Sequence, residues 1–141
     1  MSIDKDDILR LTEAALNVRK NSYAPYSGFY VGAALLAKSG MIYTGVNCEN
    51  SSYPVGICAE RTAFSSALTA GEREFAAIAV AGGKDMKGPE DFCYPCGMCR
   101  QFMAEYCKGE FEIIIAKSRD EYRIYRLDNL LPYIFELDTT I

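Results

Sequence analysis

Between Phe75 and Ala81 the chain reads Phe-Ala-Ala-Ile-Ala-Val-Ala, with no polar residue in the run. A strand of that pattern offers no face to water, so it belongs inside a sheet that is covered on both sides. The flanking segments supply the cover. Ile8, Leu11, Ala15, Leu16 and Val18 recur with helical period between an acidic start and Arg19-Lys20, a charge bias the helix dipole favours, and predict a helix over about 4 to 20. Pro25 and Gly28 break it. Phe29 to Lys38 and Met41 to Val46, joined at Ser39-Gly40, read as a hairpin, and a loop follows from Asn47 to Ile57. Cys58 to Thr69, stopped by Gly71, is a second helix whose Ala59, Ala63 and Ala67 suit close packing on a sheet. After a polar loop, Gly82 to Pro95, come a helix from Cys96 to Cys107, strands at Phe111 to Ala116 and Tyr122 to Leu127, and a short helix beginning at Asp128 to Leu131. The order αββαβαββα predicts an α/β fold, a three-layer α/β/α sandwich around a mixed five-stranded sheet. With 141 residues, one domain over 1–141 is expected, with Asp138 to Ile141 as a frayed tail.

Composition narrows the chemistry. The chain has no His, so a Ser-His-Asp or Cys-His nucleophile and any His-ligated metal are excluded within it. Proton transfer falls to carboxylates, Lys, Tyr or Cys. A net charge of −4 disfavours a surface that tracks a nucleic acid backbone. Gly83-Lys84-Asp85 lacks the Gly and Ser/Thr that a phosphate loop requires. The apolar stretches Phe29 to Ala37 and Phe75 to Ala81 fall far short of the roughly 20 residues of a membrane helix. The acidic start, Met1 to Asp7, does not read as a secretory leader, so the six Cys are expected as thiols in a cytoplasmic protein.

Two cysteine groupings carry the function: Cys58-Ala59-Glu60 and Pro95-Cys96-Gly97-Met98-Cys99. Pro95 suits the lead-in to a helix, and Cys96 and Cys99, three apart, share a face of its first turn. Cys58 opens another helix. A helix N-terminus lowers a thiol pKa, so all three are predisposed to be metal-binding thiolates. If both helix starts meet at one sheet edge, three sulfurs surround one tetrahedral Zn²⁺ and leave a fourth position for water, with Glu60 beside it as proton carrier. Cys-x-Glu followed by Pro-Cys-x-x-Cys resembles the signature of the zinc deaminases. A structural zinc knuckle or a redox dithiol is the alternative for a Cys-x-x-Cys pair. Cys93 stands at the same spacing and could compete as a ligand, or close a non-catalytic four-sulfur site with Cys58, Cys96 and Cys99. Cys96 and Cys99 are favoured because Pro95 places both on one turn. Arg100 to Ala104 lacks the fourth Cys of a ferredoxin run. Cys48 and Cys107 are expected as small buried apolar residues.

The chain closely resembles the small homotetrameric cytidine deaminases, in the branch whose zinc has three cysteines. The similarity rests on Ala24 to Leu35 (APYSGFYVGAAL), Gly45 to Asn50 (GVNCEN), Cys58 to Ala63 (CAERTA), Pro95 to Gln101 (PCGMCRQ) and Leu130-Leu131-Pro132, in order, and spans about residues 8 to 135. The resemblance implies a cytidine deaminase-like fold, one Zn²⁺ per subunit on Cys58, Cys96 and Cys99, and hydrolytic deamination of cytidine and 2′-deoxycytidine in pyrimidine salvage. It implies that zinc-activated hydroxide attacks C4 while Glu60 carries protons, and that Arg61, otherwise a surface arginine, draws charge from the zinc sulfurs. Asn47 and Glu49, two apart on an extended segment, would hold the ribose hydroxyl. Phe29 would pack on the pyrimidine, Ala59 would line the substrate site, and Tyr53 and Phe135 would enter from neighbouring subunits. Tyr94 and Met98 depart from the family pattern and are expected to place bulk beside the metal loop. A blasticidin S-type deaminase is the nearest alternative; polynucleotide and membrane partners are not expected.

Overall fold

Asp4 starts the first helix by accepting a hydrogen bond from the Asp7 amide at 2.8 Å, and α1 runs over Lys5–Val18. A tight turn over Arg19–Asn21 ends it. These and the features that follow come from a computed structural model that describes residues 3–137; the tail expected at 138–141 lies outside the described residues. The hairpin forms as β1 (Tyr30–Ala37) and β2 (Ile42–Val46), α2 covers Ala59–Thr69 and β3 Phe75–Gly83. Then come α3 (Gly97–Tyr106), β4 (Glu112–Ala116), β5 (Tyr122–Arg126) and α4 (Leu127–Leu130). β3 extends two residues past its apolar run because Gly82 and Gly83 pair with Val31 and Tyr30 of β1. The last helix begins one residue early, where the Arg126 amide donates to Asn129 Oδ1 at 3.0 Å.

The five strands form one mixed sheet in the order β2-β1-β3-β4-β5. Only β3 and β4 run parallel among neighbouring pairs. The expected three layers are present. On one face, Leu11 and Ala15 of α1 meet Ala34, Leu36, Ala79 and Ile114. On the other, α2 and α3 pack on Leu35, Ile78, Val80 and Ile113 around the fully buried Phe64. The Phe64 ring meets Phe75 edge-on at 5.1 Å and Phe102 at 5.9 Å. Burying one such side chain contributes about 2–3 kcal/mol. Among the described residues, no helix is long and apolar enough to cross a membrane.

Two glycines set how closely the outer layers approach. A Cβ on Gly45 of β2 would stand 2.4 Å from the Ala63 nitrogen and 2.5 Å from the Ala59 oxygen, so α2 lies directly on that strand. A Cβ on Gly32 of β1 would stand 2.2 Å from the Ala15 oxygen, so α1 does the same on the opposite face. Arg19, whose sequence position suggested only a favourable terminal charge, is 2% exposed. Its guanidinium donates to the backbone oxygens of Tyr30, Gly83 and Asp85, each at 2.9 Å, and ties the end of β3 to the start of β1.

Candidate metal centre and active site

The connection from β3 to the parallel β4 passes through α3, so α3 begins at the carboxyl end of β3. α2 precedes β3 and runs back along it, which brings its start to the same edge. Cys58 and Cys96 are the residues that cap these two helices, both with extended backbones. Their carbonyls accept the first helical hydrogen bonds, from Thr62 at 3.1 Å and Arg100 at 3.0 Å. Neither side chain caps its helix, so the sulfurs stay free of the backbone in the positive field of the helix start.

Three sulfurs, those of Cys58, Cys96 and Cys99, lie within 4.8 Å of one another. Cys96 Sγ is 3.9 Å from Cys58 Sγ and 3.6 Å from Cys99 Sγ. Tetrahedral Zn²⁺ with bonds of about 2.3 Å separates its sulfur ligands by ~3.8 Å, so the donor set fits that ion. The proton balance fits too. Cys58 is pulled down to about 5, chiefly by its hydrogen bond with Cys99 and further by Arg61, against the effect of burial. Cys99 is pushed up by that same partnership and by burial. Two sulfurs this close cannot both ionise cheaply unless a cation sits between them.

Arg61 Nη2 donates to Cys58 Sγ at 3.6 Å, while its buried Nε has no protein partner. Glu60 is 4% exposed, and burial pushes its carboxyl up to about 7. Cys93 is outside the sulfur group. It faces β3, where a Cβ on Gly82 would stand 2.7 Å from its sulfur and 3.0 Å from Phe29 Cε2, and burial pushes the thiol up to about 12. The four-sulfur arrangement is therefore not formed, because Gly82 opens a notch that takes the Cys93 side chain. The Phe29 ring edge shares this notch.

Asn47 and Glu49 are more heavily engaged than their spacing suggests. Asn47 acts as a substitute strand residue: Nδ2 donates to the Phe29 oxygen at 2.9 Å, and Oδ1 accepts from the Val31 amide at 2.9 Å and from the Ser22 hydroxyl. One Nδ2 hydrogen remains for a ligand. Glu49 Oε1 accepts from the Tyr26 and Ser27 amides at 3.0 and 3.1 Å, and Oε2 accepts from the Ser27 hydroxyl. Those bonds hold its carboxyl below the ordinary glutamate value, led by the Ser27 hydroxyl. Glu49 also lines a cleft of about 320 Å³ with Tyr26, Ser27, Asn50, Tyr53 and Gly56. Ala59 is fully buried at the start of α2. Tyr53 and Phe135 project from their own chain, 75% and 71% exposed.

One expectation needs correction. Cys48 is exposed, because its backbone bridges both Tyr23 and Ile57 and leaves the side chain on the outer side; Cys107 is only partly buried. Of the two bulky residues expected beside the metal loop, Tyr94 packs outward on Tyr125, and Met98, between Cys96 and Cys99, is 64% exposed. The close approaches at Gly45 and Gly82 and the anchoring by Arg19 were not visible as functional features. A buried arginine at a helix end leaves no mark in composition, although the adjacent Gly82-Gly83 pair does hint at close packing.

Comparisons with known proteins agree with this geometry. The model of the cytidine and deoxycytidylate deaminase zinc-binding region matches residues 5–115. A cytidine deaminase of Sporosarcina psychrophila is 43% identical over 129 residues, covering 92% of this chain and 91% of that protein. A probable cytidine deaminase of Dictyostelium discoideum is 40% identical over 139 residues, 99% of this chain and 90% of that one. The crystal structure of cytidine deaminase from Burkholderia pseudomallei superposes with a TM-score of 0.82 at 43% identity, covering 94% of this chain and all of that one. A layered α/β fold with three converging cysteines at two helix starts is that of the zinc-dependent deaminases. The chain belongs to the cytidine and deoxycytidylate deaminase family.

Proposed function

We propose that the chain is a zinc-dependent cytidine deaminase that converts cytidine and 2′-deoxycytidine, with water, to uridine and 2′-deoxyuridine plus ammonia. The observation that carries this is a buried glutamate, Glu60, two residues along α2 from one of three converging cysteines. Cys58, Cys96 and Cys99 would hold Zn²⁺, which when bound supplies a Lewis acid that makes water acidic near neutral pH. Glu60 takes one proton of the attacking water and delivers it to N3 of the ring, then takes the second from the new C4 hydroxyl and gives it to the amine leaving C4. A new C4–O bond replaces the C4–N bond. A positioned carboxylate in this role contributes roughly 10²- to 10⁴-fold in rate.

Arg61 draws charge from the Cys58 sulfur and offsets the excess negative charge of three thiolates on a dication. The free Nδ2 hydrogen of Asn47 and the carboxylate of Glu49 hold the ribose hydroxyl, Phe29 faces the pyrimidine, and Ala59 lines the pocket at the start of α2. Tyr53 and Phe135, exposed on their own chain, complete the sites of neighbouring subunits in a homotetramer. The protein acts as a single domain over 1–141 in the cytoplasm, without nucleic acid or membrane partners. The test follows the ultraviolet change with cytidine, 2′-deoxycytidine and blasticidin S in turn, with and without chelator. Chelator-sensitive loss of cytidine absorbance is expected; conversion of blasticidin S alone would overturn the substrate assignment.

A further inference from the structure

The segment that delivers Cys96 to the metal centre is held from two sides. Its side chains alternate: Cys93 and Pro95 face inward, on the Gly82 notch and in the core, while Phe92 and Tyr94 face β5. β5 answers with the same two-residue period. The Arg123 guanidinium lies 3.9 Å from the Phe92 ring centroid, and its Nη1 donates to the Tyr94 hydroxyl at 2.9 Å. Tyr125 meets Tyr94 edge-on at 5.6 Å, with the two hydroxyls 3.0 Å apart. One residue beyond Tyr94, the Pro95 carbonyl accepts from Arg100 Nε at 2.7 Å, and the next residue is Cys96, the cap of α3. Arg123 thus grips two alternate side chains of the strap immediately before a proposed ligand, and it does so from an edge strand that carries none of the proposed site residues.

We propose that Arg123 is a positioning residue for the metal centre: by stacking on Phe92 and donating to Tyr94 it fixes the strap that carries Cys96, and so sets how slowly the chain releases its metal. This rests on the zinc-site reading given above. Only an arginine spans both contacts, since its planar fork can cover a ring and donate sideways at once, whereas the single ammonium of lysine serves one or the other.

The test measures release of zinc from the loaded protein to an excess of a colorimetric chelator, for the wild type, Arg123→Ala, Arg123→Lys, Tyr94→Phe and Arg126→Ala. Arg126 sits on the same edge strand but pairs with Asp128, so its variant reports general loosening of β5. Arg123→Ala is expected to release zinc roughly tenfold faster, the combined weight of one cation–π contact and one hydrogen bond. Tyr94→Phe and Arg123→Lys should fall between it and the wild type, and Arg126→Ala should match the wild type. Equal rates for Arg123→Ala and wild type, or equal acceleration by Arg126→Ala, would overturn the positioning role while leaving the zinc site intact. A wild-type chain that takes up no zinc would instead overturn the zinc site itself, and the positioning role with it.

Discussion

Gly45→Ala should damage the active site from the far side of α2. The added Cβ would stand 2.4 Å from the Ala63 nitrogen and 2.5 Å from the Ala59 oxygen, where ordinary contact begins at 3.4 Å. The obstructing atoms are helix backbone and cannot rotate away, so α2 must rise by about 1 Å. Overpacking of this kind costs about 1–3 kcal/mol, which for a domain of this size lowers Tm by roughly 4–12 °C. The same shift moves Cys58 and Glu60, and a misplacement of ~1 Å costs on the order of 10²-fold in rate. Gly32→Ala is the matched comparison. Its Cβ would stand 2.2 Å from the Ala15 oxygen, so its loss of Tm should be similar, but it displaces α1, which carries none of the proposed site residues. Thermal melts and kcat/KM for cytidine, taken well below both transitions, separate the two. Wild-type kcat/KM in Gly45→Ala, or equal rate losses in the two variants, would refute the claim that this contact sets the height of the catalytic helix.

Cys93→Ser should keep one zinc per chain and near wild-type turnover, because the sulfur is seated on Gly82 and not among the other three; loss of zinc would bring Cys93 into the ligand set. Arg61→Ala should retain zinc and lose about 10- to 100-fold in turnover, measured as kcat alongside metal content, and unchanged kcat would leave Arg61 with a packing role only. Glu49 has its folded-state pKa depressed by Ser27 and Tyr26, so its clamp on that turn is fully formed above the unfolded glutamate value of about 4.3 and is lost as pH falls through the lower, folded value. The Ser27 amide resonance should therefore titrate with a midpoint below about 4.3; a midpoint at or above it would show that the clamp does not form.

Patterns that live along the chain were readable from it. The apolar run from Phe75 fixed the central strand, the periodicities around it gave helices on both faces, and each element lies within about two residues of its expected place. The helix starts that carry Cys58, Cys96 and Cys99 are marked locally, by Pro95 and by the spacing of Ala59, Ala63 and Ala67, and the strand order brings those starts to one edge. Contacts between elements were less legible. Nothing in Tyr94 reveals that its ring turns outward, since that depends on Arg123 and Tyr125 some thirty residues later. Asn47 looked like a polar ligand-binding residue, but most of its amide serves the backbone at Phe29 and Val31. Cys48 followed the burial habit of its residue type until two backbone bridges turned it outward.

The central claim is that three sulfurs hold the metal while Glu60 moves the protons, and Glu60→Gln separates these functions. Zinc content and cytidine conversion would be measured on the same samples of wild type and variant. The account predicts one zinc per chain in both, with conversion in the variant lower by at least about 10²-fold. Glu60→Gln protein that holds zinc and converts cytidine at the wild-type rate would contradict it.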